Sequence, residues 1–509
     1  MFCRYCRLAF AFFVIASSSH VNALENTCDA GFVILEGAGL YIEPTGTDDT
    51  ENIQCALNSA VEQGIGLVKL QKGDFFISSL VVDGFNGALS GVSKSNTTLT
   101  VMEDSVDCAG MELAGTYASA IQFREGSPRI QNMTMVAEAF CSTEGEYKAI
   151  AIEFTGQPTG TDDCSNDVIF GVVDRITLRS EDESLNGIQA APAGYSVGEC
   201  KQTLLGTLKI NRSDIDGFRT GLITSMRGGA QVDVNYNTFT NNFTDSTFID
   251  SNQATYVVGN KFFGTPPAED SSYISVAIGT ASDDAPEQSR FVITGNTFDI
   301  DATDYTNAYA VYFEQQTKVA DLTALVVANT FQLSGGRTFG VGEGGVNAGV
   351  ITKNTFRGNA GAGILLGRAE TNPSSDWTIT ANKGLSNLES VDADIFLGQQ
   401  ATGAIIGPDQ NAQIVDTGTS NTILPVESEV VEVTNAIVSN VSGTFEGWGG
   451  NTIVELTNGQ VWQQTDYYLY IGIYVQPRIV IYSEPACLYG AKAVIPEAPA
   501  QGVCVGRLQ

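Results

Sequence analysis

The sequence predicts an all-β chain: a parallel β-solenoid with an N-terminal capping helix and a small C-terminal β-domain. Three observations carry this. Five hexapeptides share the pattern [VI]-x-x-N-x-F: VNYNTF at 234–239, VVGNKF at 257–262, ITGNTF at 293–298, VVANTF at 326–331 and ITKNTF at 351–356. ITANKG at 379–384 keeps the asparagine and loses the phenylalanine. The steps between successive asparagines (Asn237, Asn260, Asn296, Asn329, Asn354, Asn382) are 23, 36, 33, 25 and 28 residues. An irregular step of that size suits coils whose strands stay in register while insertions swell the turns. The composition agrees, with 54 glycines, many Val, Thr and Asn, and few long helical patterns.

Residues 1–23 read as a secretory signal. Arg4 and Arg7 precede the apolar run LAFAFFVIA, and VNA at 21–23 is a small-residue cleavage pattern. The run is short for a bilayer, and no later segment is long and apolar enough to span one. The mature chain is therefore expected to be secreted, extracellular or associated with a cell wall. Cleavage lowers the 26 basic residues to 24 against 58 acidic ones, so the net charge becomes −34. Such a surface disfavours nucleic acid. It also removes the single histidine, His20, and with it histidine-based triads, histidine-ligated zinc and histidine acid–base chemistry.

Eight cysteines remain: Cys28, Cys55, Cys108, Cys141, Cys164, Cys200, Cys487 and Cys504. An even set without CxxC pairs, in a secreted chain, reads as disulfides. Sequential pairing is the expectation adopted among the many connectivities. Five sequons, at Asn96, Asn132, Asn211, Asn242 and Asn440, are candidate glycosylation sites.

The cap is TDDTENIQCALNSAV at 47–61. Ile53, Ala56, Leu57, Ala60 and Val61 form one apolar helical stripe. Asp48 or Asp49 is the natural N-cap, and Asp48 with Glu51 has capping-box spacing. This helix would lie over the first coil and hide its unpaired strand edges, with Cys55 stapled to Cys28.

In the coils, the β-branched residue and the phenylalanine of each hexapeptide are expected to point inward and stack on their equivalents. The asparagine tolerates a left-handed backbone, and its amide can bond to the coils above and below. Coils ~4.8 Å apart turn such side chains into ladders. A second class of strand lies between the asparagines, including SAIQFRE at 119–125, AIAIEFTG at 149–156, NGIQA at 186–190 and YAVYFEQQ at 309–316. Pro425 and VESEV mark a break, so the expected division is 24–424 for the solenoid and 425–509 for the C-terminal module. Trp448, Trp462, Tyr467, Tyr468, Tyr470 and Tyr474 in that module form either its core or an exposed glycan platform.

GTDDTENIQCALNSAVEQGIGLVKLQKGDFFIS at 46–78, the Asn/Phe coils, and DIFLGQQATGAIIGPDQNAQIVDTGTSNTI at 394–423 together resemble the pectin-lyase-like superfamily of right-handed parallel β-helices. The resemblance covers about three quarters of the chain. It implies a polysaccharide partner or wall matrix, bound or processed along one sheet. The polygalacturonase branch's Gly-His-Gly, Arg-Ile-Lys and Asn-Thr-Asp motifs are missing here, which places that activity in doubt.

Alternation puts Ile121, Phe123, Ile150, Ile152, Phe154, Ile188, Val311 and Phe313 inside. It leaves Gln122, Arg124, Glu153, Thr155, Gln189, Tyr312 and Glu314 outside. Carboxylates, amides and an aromatic ring along a groove are what sugar recognition needs. Gln122, Arg124, Glu153, Gln189, Tyr312 and Glu314 are accordingly the candidate substrate-binding residues. Hydrolysis needs two carboxyl groups about 5–9.5 Å apart, and Glu153, Asp250 and Glu314 are the candidates; the resemblance implies an Arg or Lys base for any lyase, which makes Arg124 the candidate. No cofactor is certain. Ca²⁺ is the one the acidic loops leave open, through Asp299, Asp301 and Asp304, although no EF-hand spacing occurs. The alternative is a non-catalytic structural or surface protein of a wall, coat or matrix. Oligomeric state is not readable.

Overall fold

The computed structural model describes residues 28–508 except 107–117, 138–139, 142–148, 157–165, 181–184, 192–202, 227–229, 250–253, 265–271, 281–288, 303–306, 317–321, 344–347, 369–373, 409, 425–436, 467, 484–486, 490 and 496–501. The signal segment, Cys108, Cys164, Cys200, Asp250, Asp304 and Tyr467 lie outside the described residues.

The chain folds as a right-handed parallel β-helix of three long sheets, followed by an antiparallel β-module. Sheet 1 has fifteen strands and holds the strand that precedes each asparagine. Sheet 2 has eleven and begins with the Thr-Phe pair just after it, and sheet 3 has twelve. A hairpin of Val33–Glu36 with Gly39–Ile42 starts sheet 1. All later pairings in the three sheets are parallel, from Leu67–Leu70 onward. The interior of sheet 1 is one β-branched ladder: Val173, Ile210, Val234, Val257, Ile293, Val326, Ile351 and Ile379 stand in register, all buried. Beside it Phe239, Phe262, Phe298, Phe331 and Phe356 stack with centroids 5.1, 4.9, 5.0 and 4.7 Å apart. These are the residues the hexapeptide repeats.

The repeated asparagine works through its amide. Asn260 Oδ1 accepts the backbone N–H of Asn237 at 2.8 Å and its Nδ2 at 3.0 Å. Asn260 Nδ2 donates to the Val234 carbonyl and to Asn296 Oδ1. The same set recurs through Asn296, Asn329, Asn354 and Asn382, and Asn382 hands on to Gln410 at 3.2 Å. The left-handed residue is not the asparagine but the one before it: Tyr236, Gly259, Gly295, Ala328, Lys353 and Ala381, with φ between 54° and 66°. The backbone turns there, and the asparagine side chain ties the turn to its neighbours.

The capping helix spans Thr50–Gln63 and buries Ile53, Ala56, Leu57, Ser59 and Ala60. Val61, assigned to the stripe from its spacing, is at the surface instead. Asp49 is the N-cap, but its carboxylate makes no capping bond. It accepts the N–H groups of Thr45 and Phe76 (2.8 and 3.1 Å), tying the helix start to sheet 2. The capping box from Asp48 to Glu51 does not form; Asp48 takes the Thr50 N–H instead. Gly64 ends the helix at φ 67°, a left-handed C-cap suited to glycine. Cys28–Cys55 anchors this cap, and Cys487–Cys504 closes the C-terminal module. Cys141 is also disulfide-bonded, to a partner outside the described residues.

In the C-terminal module Trp448 and Trp462 are buried beside Phe445, Val454 and Ile479, so they form core. Tyr468, Tyr470 and Tyr474 are partly buried against it.

Candidate binding face on the third sheet

Sheet 3 carries the sequence-predicted site residues. Its strands include Ala118–Arg124, Ala149–Thr155, Asn186–Ala190, Thr220–Thr224, Ser272–Thr280, Asn307–Gln316 and Thr338–Glu343. Ile121, Ile152, Ile188, Leu222, Val276 and Val311 form its inner file. Gln122, Glu153, Gln189, Ile223, Thr247, Ala277 and Tyr312 form the adjacent outer file.

Strict alternation fails within several of these strands. Ser119 and Gln122 are three residues apart, yet both reach Glu153. Tyr309 and Tyr312 are three apart, yet their rings lie 4.9 Å from each other. The strand bends between such pairs, at a file of small residues that includes Ala151, Gly187, Gly221, Gly340 and Gly363. A Cβ on Gly187 would meet the Gly221 carbonyl oxygen at 2.6 Å, so coils approach closely there. Ile150, in register with Ser119, therefore faces outward, contrary to the alternation.

Glu153 is the centre of the polar end. Ser119 Oγ donates to its Oε2 at 2.5 Å, and Gln122 Nε2 donates to the same oxygen at 2.7 Å. Arg124 Nε donates to Gln122 Oε1 at 2.7 Å, and its guanidinium lies 3.7 Å from Asp83. Oε1 of Glu153 has no hydrogen-bond partner among the described residues. Burial raises the Glu153 carboxyl above the ordinary carboxylate range, and the bonds from Ser119 and Gln122 and the charge of Arg124 oppose that shift. A buried carboxyl with one oxygen doubly held and the other unpartnered is a poised acceptor or proton carrier.

Toward the C-terminal coils the same outer face becomes aromatic. Tyr309 stacks on Phe339 at 5.0 Å, and Ala362, Leu365, Tyr312, Ile274 and Phe396 complete a separate apolar cluster. Gly342 lies under it, where a Cβ would meet the Tyr309 ring at 2.5 Å.

The open groove read from the sequence is not what the structure has. Gln122, Glu153, Gln189 and Thr155 are 4%, 1%, 4% and 1% exposed, so this part of the outward stripe is largely covered, while Arg124 and Tyr312 are partly exposed. The paired-carboxylate geometry is also missing. Glu153 and Tyr312 share one file but stand five coils apart, or about 24 Å at ~4.8 Å per coil. Glu314, two residues past Tyr312, is thus far beyond hydrolase separation; its side chain, like the whole of Asp250, lies outside the described residues. Asp299 and Asp301 are exposed on the outer face of sheet 2, and Asp304 lies outside the described residues. Among the described residues no group of three or more His, Cys, Asp or Glu could hold a metal ion.

Of the five sequon asparagines, Asn440 is exposed and Asn96, Asn132 and Asn211 are partly so. Asn242 is fully buried. Its amide donates to Asp245 at 2.9 Å and to the Ile215 carbonyl at 3.2 Å, and it accepts the Phe218 N–H at 2.9 Å. The folded chain leaves no room for a glycan there. This asparagine belongs to an interior polar island that sequence reasoning missed: Asp245 also accepts from the buried Tyr273 hydroxyl, which sits 2.9 Å from Ser275. The Asp245 carboxyl is raised to about 7, chiefly by burial.

No family model and no curated protein matches the chain. Solved structures do. A mannuronan C-5 epimerase A-module of Azotobacter vinelandii is 12% identical over 74% of this chain and 94% of its own, with a TM-score of 0.36. The tailspike gp49 of Acinetobacter baumannii bacteriophage Fri1, a capsular polysaccharide depolymerase, is 10% identical over 94% and 84%, at 0.37. A surface protein and adhesin of Streptococcus pneumoniae is 12% identical over 75% and 97%, at 0.35. The chain's own parallel registers and its Asn and Phe ladders make it a parallel β-helix.

Proposed function

We propose that this is an extracellular polysaccharide-binding β-helix, with the outer face of sheet 3 as the binding surface and Glu153 as its polar anchor. The observation that supports this most is the unpartnered Oε1 of a buried Glu153, whose Oε2 holds Ser119 and Gln122. That oxygen is left able to accept, and a sugar hydroxyl would donate to it. The aromatic cluster of Tyr309, Tyr312 and Phe339 supplies apolar surface for sugar C–H faces further along the sheet. Binding then requires the face to open. The disulfides Cys28–Cys55 and Cys487–Cys504 support the extracellular setting of this reading.

One observation favours a second reading, a structural protein of a wall or coat: the polar end of the face around Glu153 is largely covered. A glycan array with the secreted chain separates the two. Specific retention of one polymer supports the binding reading, and reducing-end and unsaturated-uronate assays on that polymer then detect hydrolase or lyase turnover. An array with no saturable partner would leave the structural reading.

A further inference from the structure

We infer that the C-terminal module carries its own binding cleft for a hydroxyl-rich sugar unit, preferring one with a free amine over one with a carboxylate. This site is separate from sheet 3 and does not rest on it. The cleft has a volume of about 450 Å³ and is lined wholly by residues 441–470, within the range for small-ligand sites.

Its floor is Phe445 and Trp448, packed edge to face at 4.9 Å, with Val454 beside them. Ile453, 57% exposed, and the partly buried Tyr470 give it accessible apolar surface. Glu446 and Glu455 are both exposed and line the cleft. The backbone aims Glu446: the strand Thr444–Gly449 pairs with Leu469–Val475, and the register shifts between Phe445 and Gly447. That bulge interrupts the ladder at Glu446, and bulges re-aim side chains at functional sites. Gly447 takes φ 114° to permit it.

The hydrogen-bonding state of the lining identifies the ligand. Thr452 is occupied, accepting the Gly449 N–H and donating to the Gly447 carbonyl. The Glu446 and Glu455 carboxylates have no hydrogen-bond or ion-pair partner among the described residues. No lysine or arginine lines the cleft itself; the nearest positive charge acting on its lining is Arg290, beside Tyr470. Two anionic acceptors beside the accessible apolar surface of Ile453 and Tyr470 suit a pyranose whose O–H and N–H groups donate, and they repel a uronate.

The test titrates the full-length chain at physiological salt with a glucosamine dimer, cellobiose and digalacturonate, following heat and tryptophan fluorescence. The glucosamine dimer is expected to bind saturably, at least threefold tighter than cellobiose, with digalacturonate not binding. In the Glu446→Gln/Glu455→Gln double variant the glucosamine dimer should weaken at least tenfold and lose its advantage. Ile453→Ser should weaken both neutral and amino sugars. These positions are exposed, so the fold is retained, and an unchanged far-UV spectrum verifies it. No saturable binding by the glucosamine dimer or cellobiose, or equal binding by the double variant, would overturn the inference.

Discussion

Replacing Asn296 by alanine should destabilise the β-helix by at least about 3 kcal/mol. Asn296 is 1% exposed and sits in mid-ladder. Its Oδ1 accepts the Asn260 N–H at 2.8 Å and Asn260 Nδ2 at 3.0 Å. Its Nδ2 donates to the Val257 carbonyl at 2.8 Å and Asn329 Oδ1 at 2.9 Å. Asn260 Nδ2 keeps its bond to the Val234 carbonyl, and Asn329 Oδ1 keeps the backbone N–H of Asn296. The Asn260 N–H and the Val257 carbonyl lose the partner the amide supplied. Each buried group left unmade costs ~1–3 kcal/mol, and the two lost amide–amide bonds add about 0.5–1.5 kcal/mol each. Urea unfolding followed by far-UV circular dichroism reads the change, with hydrogen exchange at Asn260 as the local probe. Because stacked coils need not unfold in one step, the exchange result carries most weight. A midpoint within about 0.5 kcal/mol of wild type, with Asn260 still protected, would refute the ladder's role.

Three further outcomes follow from the same structure. Phe298, stacked at 4.9 and 5.0 Å between Phe262 and Phe331, should cost about 3–5 kcal/mol when cut to alanine, measured in the same denaturation. Leu57→Asp puts a charge where the capping helix is fully buried, so secretion yield and melting temperature should both fall; normal secretion would remove the lid from the account. The Asp245 carboxyl is raised from 3.8 in its reference state to about 7 in the fold. Its contribution is therefore full below pH ~4 and is lost as pH rises through about 7. Asp245→Asn should flatten that loss, so the stability difference between variant and wild type should grow from pH 5 to 8; a constant difference would count against it. The titratable group facing Asp245 is Tyr273, whose own ionisation is pushed up by burial and by Asp245.

What was legible in the sequence was whatever the coils repeat. Asn237 to Asn382 and Phe239 to Phe356 recur because each needs an identical neighbour, and that need writes itself as a motif. The left-handed turn did not show, since Tyr236, Gly259, Ala328 and Lys353 share a backbone angle and no side-chain chemistry. Alternation located Gln122, Glu153 and Gln189 on one outer file but misplaced Ile150, because small residues at Ala151 and Gly187 let the strand bend. Polar residues facing away from a core read as solvated, so the sealing of Glu153 was invisible. Asp245 and Tyr273 pair once, across two adjacent coils, and no periodicity marks them.

The central claim is that Glu153 is kept for binding rather than for the fold. The most direct test compares wild type with Glu153→Gln for the best-retained polymer on the array, measuring affinity and melting temperature on the same samples. Glutamine keeps the acceptor for Ser119 and Gln122 and relieves the burial of a charge. The account predicts a melting temperature equal to or above wild type at pH 7–8, with affinity at least tenfold weaker. Unchanged affinity, or a loss of binding that only follows a loss of fold, would contradict it.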